Sequence, residues 1–306
     1  MVEHFQVAII GHLTVDDIVL PNGNTKIGSP GGNVLYAALG AKAWGVNPFV
    51  ITCQGRDYPL ETMDTLIGAG IDTSHIIPLN VSSVRQWALY DVNGGRKYVL
   101  INKESNYLDI SPRPHMIPDQ SMDNIQFAHI APMPAIIQEE WVEWLTSRGV
   151  RYISLDPHED YMSDDLLWKR ILPQLTIFMP STVEVEAMSG DCLDTLKAAR
   201  RIAQMGPRIV VIKQGAHGSL VYERDTDSAT YISPITAAEV DPTGCGDSYC
   251  GGFLAGMVSG GDPVFAAKWG SVSASFVLEG YGPSAAYEVS RSFAEERYKN
   301  YEDITL

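Results

Sequence analysis

Cysteine is scarce. Cys53, Cys192, Cys245 and Cys250 are spread over 306 residues with no Cys-x-x-Cys pair. That excludes a disulfide framework and a cysteine zinc site, and it suits a reducing, cytoplasmic setting. Positive charge is also in short supply. Lys and Arg total 22 against 37 acidic residues, a net charge of −15, so nucleic acid and anionic membrane are not expected partners. No apolar run reaches membrane-spanning length, and Met1-Val2-Glu3-His4 lacks the basic start of a signal peptide. No G-x-x-x-x-G-K-[ST] loop occurs, and Gly11-His12-Leu13 stands where a dinucleotide-binding enzyme would carry G-x-G-x-x-G.

What remains is an ordinary globular composition, 45% hydrophobic and 19% charged. Phe5 to Gly11 reads as a buried strand ending at a glycine, followed by the adjacent carboxylates Asp16 and Asp17. In a strand the two face opposite sides, so one is a candidate site residue and the other, Asp17, reads as solvated charge. Pro21-Asn22-Gly23-Asn24 and Asp91-Val92-Asn93-Gly94-Gly95 mark two hairpins with short, polar strands. They predict a small β lid formed by about 12–30 and 80–106. Basic residues there are Lys26, Arg85, Arg96, Lys97 and Lys103. Arg85 reads either as a contact for an anionic or polyhydroxy ligand or as an edge-strand charge.

Gly31-Gly32-Asn33 opens a small-residue helix that stops at Gly45. The glycine pair either admits a close approach to the backbone or marks a plain turn. From Phe127 to Glu223 strands and helices alternate, which predicts parallel strands with right-handed helical crossovers. The motifs from Gly11 to Asp156, Ser181, Gly215 and Gly244 fall at the carboxyl ends of strands, where such sheets bind ligands. Trp141 and Trp144 read as core or interface. His12, His129, His158 and His217 lack metal-ligand spacing and read as ordinary hydrogen-bonded histidines.

Val240 to Gly256 holds the strongest chemistry. Asp241-Pro242-Thr243 leads into the turn Gly244-Cys245-Gly246, and Asp247 then opens a helix with Phe253, Leu254, Met257 and Val258 on one face. Free N–H groups and the helix dipole make such a turn an anion cradle. A carboxylate at its edge suits a base that takes a proton from an attacking hydroxyl. An N-capped helix after a tight turn is the plain alternative.

Asp241 to Ser248 with Gly251-Gly252-Phe253, together with Gly31-Gly32 and Leu39-Gly40…Gly45, resembles the two motifs of the ribokinase-like, or PfkB, family of carbohydrate and nucleoside kinases. The resemblance spans nearly the whole chain. It implies one kinase domain over 1–306, a three-layer α/β/α sandwich with a mainly parallel sheet and a small β lid. It also implies transfer of the γ-phosphoryl group of ATP to a hydroxyl of a small polar molecule, with Mg2+ and, as a further candidate, a monovalent cation such as K+. Asp247 then matches the catalytic base, and Gly244, Cys245 and Gly246 the backbone anion hole. Asp16, Gly31, Gly32 and Asn33 match the substrate grip. Lys213, Gly215, Gly218 and Thr243 match the nucleotide side, and Glu184 the magnesium-holding glutamate, acting through water. A free sugar or polyol is the leading acceptor; nucleosides and inositols are the alternatives, as is a non-catalytic sugar- or nucleotide-binding protein. A homodimer through the lid is expected. Three residues depart from the family pattern: Ser181 for asparagine, Tyr36 for asparagine, and Cys245 for alanine. At a helix start Cys245 is either an oxidation-sensitive thiol or a small filler.

Overall fold

The computed structural model describes residues 6–92, 95–101, 104–118, 125–189 and 194–305. Met1 to His4, the central Asn93-Gly94 of the second hairpin, Lys103 and Cys192 lie outside the described residues.

Strand β1 (Gln6–Ile10) sets the layering. Ala8 and Ile10 face one core, Val7 and Ile9 the other, as the two-residue period of a strand buried on both faces requires. The main sheet has the order β13-β12-β11-β10-β9-β8-β1-β4-β5. Its parallel part comprises β1, β4 (Phe49–Gln54), β5 (Ile76–Pro78), β8 (Ile125–Ile130), β9 (Tyr152–Leu155), β10 (Ile177–Phe178) and β11 (Ile209–Lys213). On one face lie α3 (Ala135–Ser147), α4 (Asp165–Ile171), α5 (Thr182–Ser189) and α6 (Thr195–Gln204), closing the core around Trp141 and Trp168. On the other lie α1 (Asn33–Lys42), α2 (Leu60–Gly68), α7 (Cys245–Val258), α8 (Pro263–Leu278) and α9 (Arg291–Thr305). Trp141 is core, its indole N–H donating to the Pro112 carbonyl at 2.8 Å.

The parallel rule stops at the sheet edge. After β11 come β12 (Ser219–Glu223) and β13 (Ser228–Ile232), both paired antiparallel. Their connections are too short for a parallel crossover, which takes a dozen residues or more. The half-exposed Ser228–Ile232 run was not anticipated from the sequence, because an edge strand lacks an apolar face. Helix α7 also departs from expectation. It is buried on every side from Ser248 to Gly256, with Phe253 and Leu254 in different cores, since it sits between α1, α8 and the sheet.

A second sheet of four strands has the order β3-β2-β6-β7, built from β2 (Thr14–Val19), β3 (Thr25–Gly31), β6 (Val84–Tyr90) and β7 (Arg96–Leu100). It falls where the two hairpins place it. Strand β2, however, is buried along nearly all its length, and Ile18, Leu20 and Ala88 form a small core of its own with Tyr90, Tyr98 and Tyr281. Asp17 is correspondingly buried, contrary to its expected role as solvated charge. Its carboxylate takes a two-pronged bond from Arg85 at 2.9 and 3.1 Å and another from the Gly28 N–H at 2.6 Å. The pair locks β2 to both neighbouring strands. Removing it (Asp17→Ala) should destabilise the protein by about 2 kcal/mol, the cost of losing a charged, buried hydrogen-bond acceptor. Amide exchange across β2 and β3 should rise with it. A change near zero in the denaturation midpoint would return Asp17 to the solvated class.

Candidate active site

The chain runs outward from β1 to β4 and β5, then returns to β8 on β1's other side. Their carboxyl ends therefore frame a switch point of the kind where open α/β sheets take ligands. Asn33 fastens it. Its Oδ1 accepts the His12 N–H at 2.8 Å and its Nδ2 donates to the Pro132 carbonyl at 2.6 Å. Gly11 must lack a side chain here, because a Cβ would strike the Asn33 amide. Above this seam opens a cleft roofed by the small sheet.

On one wall, Asp16 Oδ1 accepts from Thr14 Oγ1 and Gln86 Nε2, each at 3.0 Å. Tyr107 donates to Gln86 Oε1 and so fixes which way that amide points. Gly31 leaves room for the Asp16 carboxylate, and Gly32, at φ 112°, lets the start of α1 pass the His12 carbonyl. The glycine pair thus serves close approach, by a side chain and by backbone. Burial raises the Asp16 carboxyl from 3.8 to about 6 against the pull of its Gln86 and Thr14 hydrogen bonds. Tyr107 stacks on His12 at 5.4 Å between ring centroids. His12 is bonded to Ser111 Oγ at 2.7 Å and lowered to about 3 by burial, so it stands there as a neutral ring. His129 is likewise buried and hydrogen-bonded, to Ser154 Oγ at 3.1 Å.

The facing wall is the Asp241–Asp247 turn. Asp241 is fully buried. Its Oδ1 accepts from the Thr243 N–H and hydroxyl at 2.9 and 2.6 Å, its Oδ2 from the Gly282 N–H at 2.8 Å. Gly244 sits at φ 81° directly on the Tyr36 ring, where any Cβ would collide. The Cys245 N–H turns back to the Pro242 carbonyl at 3.2 Å, so of the expected anion-hole amides it is already engaged. Burial pushes the Cys245 thiol well up, and it donates to the Ala274 carbonyl at 3.6 Å; the small-filler reading fits. Asp247 stands in the first turn of α7 and lines the cleft. Burial raises its carboxyl, opposed by the charges of Lys213 and Arg96.

Lys213 ends β11 and pairs with the buried Asp156 beneath this turn. Gly215 and Gly218 follow it in the β11–β12 turn and lie outside the cleft lining; Gly218, at φ 84°, packs on the Ile232 carbonyl. Ser181 and Glu184 form a reciprocal cap on α5: Glu184 Oε2 accepts the Ser181 N–H, and the Glu184 N–H reaches Ser181 Oγ at 3.4 Å. Glu184 also lines the cleft. Among the described residues no cluster of His, Cys, Asp or Glu forms a protein cage for a metal. Magnesium does not need one, since it keeps its waters and takes one or two carboxylates besides phosphate oxygens. The hard-oxygen donor Glu184 fits such an ion.

The structure thus brings Asp16, Gly32, Asn33, Glu184, Thr243, Gly244 and Asp247 around one cleft, with Gly31 behind Asp16 and Lys213 near Gly246. Sequence reading missed Gln86, Tyr98 and Tyr107 and left Arg96 undecided. Arg96 and Tyr98 share one face of β7, with the guanidinium 4.7 Å from the ring centroid. The period of two in that strand was the available signal. Arg85, by contrast, is spent on Asp17.

A pfkB family carbohydrate kinase model matches residues 10–289. The chain is 28% identical over 277 residues to the cytidine kinase of Thermococcus kodakarensis, covering 90% of this chain and 96% of that one. Its fold is that of a Burkholderia thailandensis nucleoside kinase solved with inosine (TM-score 0.78, 19% identity, 96% and 98% of the two chains). It also matches a ribokinase II candidate of E. coli solved with ATP and Mg2+ (TM-score 0.78, 20% identity, 97% and 99%). With a ribokinase-like sandwich and a family match along most of its length, the chain belongs to the pfkB family of carbohydrate kinases, enzymes that transfer phosphate to a hydroxyl group.

Proposed function

We propose that this enzyme uses ATP to phosphorylate a hydroxyl of a nucleoside, a change from the free sugar that the sequence put first. The observation that carries the choice is the aromatic wall of the cleft. Tyr107, stacked on His12, and Tyr98, both half-buried at the cleft, offer flat apolar surface for a base. Asp16 beside it supplies a carboxylate for a sugar hydroxyl. A bare sugar would leave the aromatic wall uncovered. The cytidine kinase and the inosine-bound nucleoside kinase among its relatives point the same way.

Asp16 holds the acceptor, with Gly31, Gly32 and Asn33 shaping the floor. Asp247 takes the proton of the attacking hydroxyl onto its carboxylate, and its raised affinity for that proton suits the task. The amides of Gly246 and Asp247 and the α7 dipole hold the charge that builds on the transferring group. Lys213, Gly215, Gly218 and Thr243 serve the nucleotide side. Glu184 would hold Mg2+, which supplies neutralisation of phosphate charge. The small sheet, 12–30 and 80–106 of one kinase unit, acts as a lid. Tyr90 on it lies 2.8 Å from Thr243 Oγ1, so closing the roof and shaping the cradle are one event. Its outer strand β7 and the chain just beyond expose Val99, Leu100 and Ile101, an edge for a second copy; sedimentation as a monomer at micromolar concentration would remove the dimer.

An ADP-release screen over nucleosides, sugars, sugar phosphates and inositols tests the acceptor. Nucleosides should give the highest kcat/KM, and a free sugar or inositol turned over better would overturn the choice. Asp247→Asn should lower kcat by about 10²–10⁴-fold, the usual worth of a general base, while ATP still binds. Because the folded protein raises this carboxyl, the variant should also be more stable than wild type at pH 7; a lower unfolding temperature would contradict the buried-charge account.

Asp16 gives a pH signature. Its folded value of about 6 lies above the ordinary 3.8, so the folded state is favoured while the group is protonated. That advantage, about 3 kcal/mol at 1.36 kcal/mol per unit, is lost as pH rises from about 4 through 6. Binding of the acceptor by the ionised carboxylate should rise over the same interval. Asp16→Asn should flatten both profiles; an unchanged acidic limb of kcat/KM would assign it elsewhere.

A further inference from the structure

Buried ion pairs cost desolvation that their mutual attraction often fails to repay. The pair between Lys213 and Asp156 is such a case. Their side chains are 13% and 3% exposed, and Asp156 Oδ1 is buried with no partner. It lies outside the acceptor cleft, so holding the nucleoside does not explain it.

Its placement does. The Lys213 backbone is pinned by its N–H to the Pro180 carbonyl at 2.8 Å. Its ammonium reaches under the first turn of α7, 3.8 Å from where a Cβ on Gly246 would stand. Among the described residues the ammonium has two polar partners, Asp156 Oδ2 and Cys250 Sγ at 3.7 Å. An ammonium has three N–H donors, so one is left over. The carboxylates of Asp156, Glu184 and Asp247 all bear on this region. A cradle ringed by acids needs a fixed cation before it can accept a phosphate.

We infer that Lys213 is a catalytic residue whose ammonium touches the transferring phosphoryl group, and that Asp156 is a positioning residue that holds it under the α7 turn. The inference rests on the kinase reading. It gives the desolvated pair a use: the ammonium's third N–H is available to a phosphate oxygen, while Asp156 Oδ1 stays without a partner. No bond forms or breaks at either residue.

Lys213→Met keeps the length and removes the charge. It should lower kcat about 100-fold, the scale of one oxyanion donor, with KM for the nucleoside within about threefold. Lys213→Arg should recover part of the loss. Since Lys213→Met strands the buried Asp156, the double variant Lys213→Met/Asp156→Asn supplies the control. It should regain unfolding temperature yet stay slow, whereas a purely structural pair would regain kcat as well and overturn the assignment. Calorimetry with ADP and with the imido analogue of ATP reads the same contact without turnover. The wild-type preference for the γ-phosphate analogue should shrink at least tenfold in Lys213→Met. An unchanged preference overturns the assignment, even if wild type phosphorylates no acceptor and the kinase reading falls by itself.

Discussion

The structure depends on how closely α7 is gripped. Four glycines on α1 and α7 meet neighbouring groups with no room for a Cβ. Gly40 faces the Ser248 carbonyl, Gly251 the Ala37 carbonyl, Gly252 the Trp269 carbonyl and Ser273 hydroxyl, and Gly256 the Ala266 backbone. Helices normally pack 8–10 Å apart, and glycine at these contacts lets the helix backbones meet neighbouring groups directly. Each glycine weakens the helix by roughly 1 kcal/mol relative to alanine. The return is rigidity at one place. The N-terminus of α7, with Asp247 in its first turn, is thereby fixed against α1 and α8. Asp241 completes the grip by tying the incoming turn to Gly282 on the far side of α8.

In the proposed reaction two carboxylates on facing walls of the cleft have different work. Asp16 has two neutral donors on one oxygen and a value near 6, so it is ionised at neutral pH, as the proposed grip on an acceptor hydroxyl requires. Asp247 lines the cleft with its carboxyl raised by burial and by Glu184 and lowered by Lys213 and Arg96, and in the proposed reaction it is the base. The same residue type is driven to two roles by surroundings alone. Tyr36 touches both halves. Its ring supports Gly244, while the charges of Asp16 and Asp241 help keep its hydroxyl protonated after burial has done most of that work.

The fold was legible because its signals were local. Alternating Val7, Ala8, Ile9 and Ile10 spell a strand buried on both faces, and Gly31-Gly32 and Gly244 punctuate the helix starts that matter. What escaped was long-range. Nothing near Asp17 in the sequence announces Arg85, 68 residues away, so a locked carboxylate read as a solvated one. Asp156 and Lys213 meet across 57 residues. The Cys245 amide looked free because only the turn geometry reveals that the Pro242 carbonyl takes it. The aromatic wall was hidden likewise, since Tyr98 and Tyr107 lie on separate segments that converge only when the small sheet folds over the cleft.

The serine at position 181 gains a physical reason from the same accounting. Serine is a strong N-cap, and glutamate three residues on closes the box. Here that box holds the start of α5 and, through the Pro180 carbonyl next to it, the end of β11 that bears Lys213. One Glu184 oxygen is spent on the cap; the other remains for the cleft. A longer asparagine at 181 could reach the cleft itself, but it caps with different geometry. The serine itself stays out of the cleft lining and acts as support. The glutamate it orients is held by backbone, which would suit the ion-steadying role proposed for it, since the phosphates would largely decide where a hydrated ion sits.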